Sequence, residues 1–201
     1  MATLRSEAVT VGPAVVAYPR LAQPSRYKNK PDAKLQYSVQ VILTQESYAQ
    51  LLPTMQELAT RAFPNGEYND ADFDWGVRPT AGQPNRFTPE AVQSGMYYAN
   101  ASSSEQFKPQ VVDRNHQPVI DMGAIRDGSQ VYISLTFYQI EKGIGVGLGP
   151  VMYIGDGEAL NTGGGVTAQS AFAGVKLPPA APTAAPVAAA PVPGFAPVPG
   201  Q

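Results

Sequence analysis

The chain contains no cysteine and a single histidine. The first absence excludes disulfides, thiolate zinc sites and cysteine nucleophiles. The second leaves His116 without another imidazole for a metal pair, and the usual triads lose their raw material. Set within "DRNHQP", His116 reads as a solvated turn residue. Charge is scarce too. Charged residues make up 15% of the 201 positions and the formal net charge is −2, so no global field draws the chain to a polyanion. Any nucleic-acid contact must then rest on a local patch. No apolar run reaches the roughly 18 residues of a membrane span, and "MATLRSE" at the start lacks the apolar core of a secretion signal, so neither membrane nor export is expected.

What the sequence has in quantity is turn-forming residues, 20 prolines and 19 glycines. Many of the prolines fall at the end. From Gly174 to Gln201 the chain is almost all Ala, Pro, Val and Gly, with Lys176 as its one charge. Such a segment buries too little apolar surface to offset its ordering entropy. The expectation is a folded domain over 1–173 and a disordered Pro/Ala-rich tail over 174–201, serving as a spacer more than as a docking arm.

Strand signals dominate the domain. In "LQYSVQVIL" (Leu35 to Leu43) apolar residues alternate with Gln36, Ser38 and Gln40. In "QVYISLTFYQI", Val131, Ile133, Leu135 and Phe137 share one face, and Tyr132, Ser134, Thr136 and Tyr138 the other. Val9 to Pro19, interrupted by Gly12-Pro13, and Gly95 to Ser102 are further strand candidates. One helix is predicted, capped by Thr44, with Tyr48, Leu51, Leu52, Met55, Leu58, Ala59 and Ala62 at helical spacing. Pro53 is expected to kink it or to open its second half. Residues 64–94 show no convincing period. Their acidic stretch "EYNDADFDW" lacks calcium-loop spacing and reads as a solvated loop.

The glycines of "GIGVGLGP" (Gly143 to Pro150) invite comparison with a phosphate loop, but the comparison fails. A dinucleotide fingerprint needs G-x-G-x-x-G between a strand and a helix. The sixth position from Gly143 is Leu148, from Gly145 it is Pro150, and extended chain follows. With period two, the stretch reads instead as a curved strand. Ile144, Val146, Leu148, Pro150, Met152 and Ile154 lie on one face, and the other is bare at Gly145, Gly147 and Gly149, as at a bend or a close approach in a small barrel.

Five of the 14 basic residues, Arg20, Arg26, Lys28, Lys30 and Lys34, crowd the connection between the first two strands, with Tyr18, Tyr27 and Tyr37 among them. Cations that track phosphates and rings that accept stacked bases are what unpaired nucleic acid requires, although a basic solubilising hairpin has the same composition. A second set is Phe107, Lys108 and Arg114, and Tyr98, Tyr132 and Tyr138 could extend an aromatic platform. Phe73 and Trp75 join only if their loop folds over the site. No catalytic constellation is recognisable, no cofactor or metal is implied, and the reading is not an enzyme.

Together, "YPRL…Y…KLQYSVQVIL", "GMYYANASS…FKPQVVDRN", "DGSQVYISLTFYQI", "KGIGVGLGPVMYIGDGEAL" and "AQSAF" resemble a family of bacteriophage single-stranded DNA-binding proteins across most of residues 9–172. The resemblance implies a mainly β fold, an OB-type five-stranded barrel with one α-helix and long loops. It implies binding to single-stranded DNA without sequence preference during phage replication, recombination or repair, in the cytoplasm of the infected host. Phage replication or recombination proteins are further candidate partners, and self-association is left open. One departure stands out: the last acidic residue is Glu158, so the tail offers no acidic arm to compete with DNA. The rival readings are a phage structural or assembly protein with a Pro/Ala-rich docking arm, and a nucleic-acid enzyme whose acidic loop holds a metal.

Overall fold

The computed structural model describes residues 3–26 and 30–161. Tyr27, Lys28, the "AQSAF" segment, the tail and the boundary at 173 lie outside the described residues.

Among the described residues seven strands form one sheet in the order β3-β4-β2-β1-β6-β7-β5, and an additional β4–β7 pairing closes it. The strands are β1 (Val9–Arg26), β2 (Leu35–Leu43), β3 (Val77–Pro79), β4 (Tyr97–Ser104), β5 (Val111–Val112), β6 (Gln130–Ile140) and β7 (Gly143–Gly155). β1, β2, β4, β6 and β7 make the barrel. Its neighbours are antiparallel except at the β4–β7 seam, where Ala101 lies opposite Val146 and Ser102 opposite Gly147 in parallel. This is the five-stranded barrel that the resemblance implies, with β3 and β5 added at its margins.

β1 is longer than the expected Val9 to Pro19. Register shifts between Val11 and Ala14, Ala17 and Arg20, and Arg20 and Ser25 bend it, so its first part pairs with β6 and its second with β2. Bulges of this kind let one strand serve both sides of a small barrel. Arg20 and Arg26 therefore belong to a strand, and the connection proper holds only the lysines.

β6 follows its predicted alternation, with Val131, Ile133, Leu135 and Phe137 fully buried. On β7 the alternation breaks. Ile133 pairs with Val151 and Leu135 with Leu148, so three β7 residues span two of β6. The extra residue turns Val151 into the core and leaves Pro150 exposed, against the expectation that Pro150, Met152 and Ile154 continue the face of Ile144.

Helix α1 (Gln45–Ala62) starts as expected, the Thr44 side chain accepting the Ser47 N–H at 3.1 Å. It buries Leu51, Met55, Leu58 and Ala59 in the same core as the barrel interior. Full burial of such a side chain contributes about 1.5–3 kcal/mol, so α1 plugs the barrel. Pro53 sits exposed inside a single continuous helix.

The stretch without visible period is a covering layer. It carries β3, two 3-10 turns and the five-residue helix α2 (Pro89–Gln93), capped by Thr88. Phe87 and Ala91 pack with Ala17, Ile42 and Tyr98 into a second small core outside the barrel wall. Buried Thr80 secures the layer, its hydroxyl donating to the Ala91 carbonyl at 2.9 Å and its N–H to Met96 at 2.9 Å.

Candidate nucleic-acid interface

The covering layer occupies only part of the barrel's outer face. Beyond Ala17, Ile42 and Tyr98, outward positions such as Ser38, Ser102, Ser104, Ser134 and Thr136 carry short polar side chains. Residues paired across neighbouring strands project to the same side. Ser38 pairs with Arg20 on β1 and with Ser102 on β4, Ser102 lies opposite Gly147 on β7, and Gly147 opposite Thr136 on β6. One row, small on four strands and ending at Arg20 on β1, thus crosses all five barrel strands.

Over the seam this row opens into a groove of about 490 Å³. Gln36, Ser102, Ser104, Thr136 and Gly147 contribute to its floor, and Arg5, Lys34, Phe107 and Tyr138 stand around it. Phe107 is 72% exposed, held by a turn in which its N–H donates to Ser104 at 2.9 Å. Tyr138 lies flat across β7. A β-carbon placed on its cross-strand partner Gly145 would fall 2.4 Å from the ring, and one on Gly147 would fall 2.3 Å from the Thr136 hydroxyl. The bare glycine face therefore admits β6 side chains at Gly145 and Gly147, and backbone at Gly149, where a β-carbon would fall 2.8 Å from the Ser134 carbonyl oxygen. Arg5 bridges to Tyr138 through its backbone and sets its guanidinium 5.9 Å from the ring centroid, within cation–π range.

Among the described residues the groove's lining includes two cations and no carboxylate. Four acids, Glu67, Asp70, Asp72 and Glu141, line a separate pocket of about 390 Å³ beside the end of α1. There Lys142 pairs with Asp72 at 3.5 Å, and backbone and Asn65 hydrogen bonds hold the Glu67 carboxyl below its ordinary value. Among the described residues no group of three or more His, Asp or Glu is arranged to hold a metal ion. The formal net charge of −2 thus coexists with a groove whose lining is cationic, while exposed Glu105 stands in the turn between Ser104 and Phe107.

The structure distributes the sequence-predicted residues unevenly. It brings Lys34, Phe107 and Tyr138 together at the groove. Lys108, next in chain to Phe107, is exposed, as is Lys30 in the β1–β2 connection. Arg26 is tied to the connection: one nitrogen of its guanidinium donates to the Pro31 carbonyl at 2.6 Å and to that of Ala33, pinning the base. Tyr98 is no platform either. It is 3% exposed, 4.9 Å from the ring of Phe87, and covered by Arg86. Tyr37 is buried in the core.

Arg20 projects from β1, and Tyr132 is 40% exposed six residues back along β6 from Tyr138, its ring against Gly12. Arg114 donates to the Ile154 carbonyl at 2.6 Å. Near it the Tyr153 phenol is pushed above its ordinary value, first by desolvation and then by its hydrogen bond to Asp156. Phe73 and Trp75 pack edge-on together, and Phe73 packs edge-on against Phe63 near the end of α1, both only partly buried.

Sequence reasoning missed Arg5, an isolated basic residue with no local signal, and the serines of β4. The polar face of β6 and the bare face of β7 were visible as alternation, but not as a single floor.

The family model described as "Enterobacter phage Enc34, ssDNA-binding protein" matches residues 7–180. The chain belongs to this family. Among solved structures, the single-stranded DNA-binding protein from bacteriophage Enc34, in a C-terminally truncated form, superposes with a TM-score of 0.58 at 15% identity, covering 76% of this chain and 88% of that one. The same phage protein in complex with ssDNA gives 0.55 at 16% identity over 76% and 88%. Bacteriophage T7 gp2.5, a single-stranded DNA-binding protein, gives 0.52 at 16% identity over 85% and 96%. At these identities the superpositions speak for a common fold. A comparison with curated protein sequences finds no match.

Proposed function

We propose that the groove over the β4–β7 seam binds single-stranded DNA without sequence preference, and that the protein covers and protects such DNA during phage replication, recombination or repair in the cytoplasm of the infected host. The observation that carries this reading is a groove with two cations, two aromatic rings and no carboxylate among the described residues of its lining, in a member of a single-stranded DNA-binding family. Arg5 and Lys34 neutralise phosphates. Phe107 and Tyr138 accept stacked bases, an interaction worth about 1–3 kcal/mol per base that every base can make. The short side chains of the floor let a sugar–phosphate chain approach the sheet, and hydroxyls at Ser102, Ser104 and Thr136 offer hydrogen bonds without base discrimination. Lys30 and Lys108 extend the field at the rim. The protein performs no chemistry on the strand, and residues 174–201 act as a spacer.

The test is a titration of fluorescent oligothymidine and of duplex of equal length with the full chain. Salt-sensitive preference for the single strand is expected. Equal binding to both, or to neither, would overturn the reading in favour of an assembly role, and cleavage dependent on magnesium or manganese would restore the enzyme.

A further inference from the structure

The row of short side chains does not end at the groove. From Ser102 it continues through Ser38 to Arg20, two strands away on β1. There a separate concavity of about 560 Å³ is lined by Tyr18, Pro19, Arg20, Ile125, Arg126 and Asp127. Tyr18 occupies an unusual position for a large residue. Its backbone adopts φ 50°, its N–H donates to the Asp127 carboxylate, and its side chain remains 41% exposed. A non-glycine residue in the left-handed region is costly and persists where its surroundings over-determine it. Here the result is a phenol ring held outward beside Arg20.

Of the charges nearby, Arg126 pairs with Asp156 at 2.7 Å, and Asp127, which accepts from the Tyr18 N–H, keeps its negative charge on the far side of that backbone contact. Arg20 has no ion-pair or hydrogen-bond partner for its side chain among the described residues and is exposed. An exposed ring and an unpaired guanidinium, joined to the groove by a polar track, repeat the groove's pairing of aromatic and cation once more. The covering layer closes the alternative course over Ala17 and Ile42.

We infer that Tyr18 and Arg20 form a second subsite, and that a single strand seated in the groove passes over Ser38 and wraps onto β1, where Tyr18 stacks a base and Arg20 meets a phosphate. This rests on the groove reading and adds a direction to it. The rival course, which the covering layer leaves open, runs along β6 toward Tyr132.

The experiment compares oligothymidines of about 4 and about 16 nucleotides, which bracket the span covered by a single OB fold. The full chain is used, with fluorescence anisotropy as the readout. The double variant Tyr18→Ala, Arg20→Gln is expected to bind the short oligonucleotide like the unaltered protein and the long one roughly tenfold more weakly, the loss of about one stacked base and one phosphate contact. Tyr18→Phe keeps the ring and is expected to match the unaltered protein at both lengths. Should the double variant fail to fold, Arg20→Gln alone is expected to flatten the slope of log affinity against log salt by about 0.7, on the long oligonucleotide only.

Unchanged affinity of the double variant for the long oligonucleotide would overturn the proposal, as would a length-specific loss in Tyr132→Ala in its place. Phe107→Ala separates the two levels. If it weakens both lengths while Tyr18 and Arg20 prove indifferent, the extension alone fails. If Phe107→Ala weakens neither, the groove reading fails and takes the extension with it.

Discussion

Replacing Phe107 by alanine separates binding from folding more cleanly than any other change at the groove. The ring is 72% exposed, and its turn is held by a backbone hydrogen bond to Ser104 that alanine keeps. Surface changes away from caps and cores stay within about 0.5 kcal/mol, so the thermal midpoint should not move measurably. Binding should. A lost base–aromatic stack costs about 1–3 kcal/mol. At 1.4 kcal/mol per tenfold, that is roughly a five- to 150-fold rise in Kd. Anisotropy titration of oligothymidine at fixed salt measures the rise, a circular-dichroism melt checks the fold, and Phe107→Trp should restore affinity. Two results would refute the reasoning. A Kd within about twofold of the unaltered protein would mean that no base stacks there. A lowered melting point would mean that the ring supports the structure.

Other expectations follow from the same geometry. With Arg5, Lys34, Lys30 and Lys108 engaged, about four phosphates are neutralised, and log affinity should fall against log salt with a slope near −3; an affinity indifferent to salt would contradict the cationic groove. Gly145→Ala places a methyl 2.4 Å from the Tyr138 ring and must displace it, so DNA affinity should drop by about the cost of one stack, with Tyr138→Ala adding little on top. Met55→Ala empties a fully buried position beneath the barrel and should cost about 2–5 kcal/mol in denaturant unfolding, with affinity unchanged in what remains folded. Thr44→Ala removes the cap of α1 and should cost about 1 kcal/mol by the same measurement.

The barrel was legible in the sequence wherever alternation was unbroken. β2, β6 and the amphipathic α1 each carry enough residues for a period to show, and each lies where the pattern places it. Illegibility began where one residue is added or an element is too short. The bulge in β7 inverts the faces after Gly149, which no alternation can announce because partner register is a property of two strands. The irregularities of β1 hid its second half, so Arg20 and Arg26 looked like loop residues. Helix α2, with five residues, completes little more than a turn, and so the layer that buries Tyr98 looked like unstructured chain. At the site, composition pointed to basic and aromatic residues but not to their partners. Only the fold shows that Arg26 is tied to two carbonyls while Arg5, far off in sequence, reaches Tyr138.

The seam where β4 meets β7 is the shortest ladder of the barrel, two residue pairs long, and its outward members Ser102 and Gly147 both line the groove. A strand of DNA lying there would act as a clasp on the joint most ready to part. Occupancy and resistance to unfolding then become linked quantities: at a ligand concentration of about 100 times Kd the clasp contributes about 2.7 kcal/mol. Amide protons of β4 and β7 would report that gain before those of any other pair of strands.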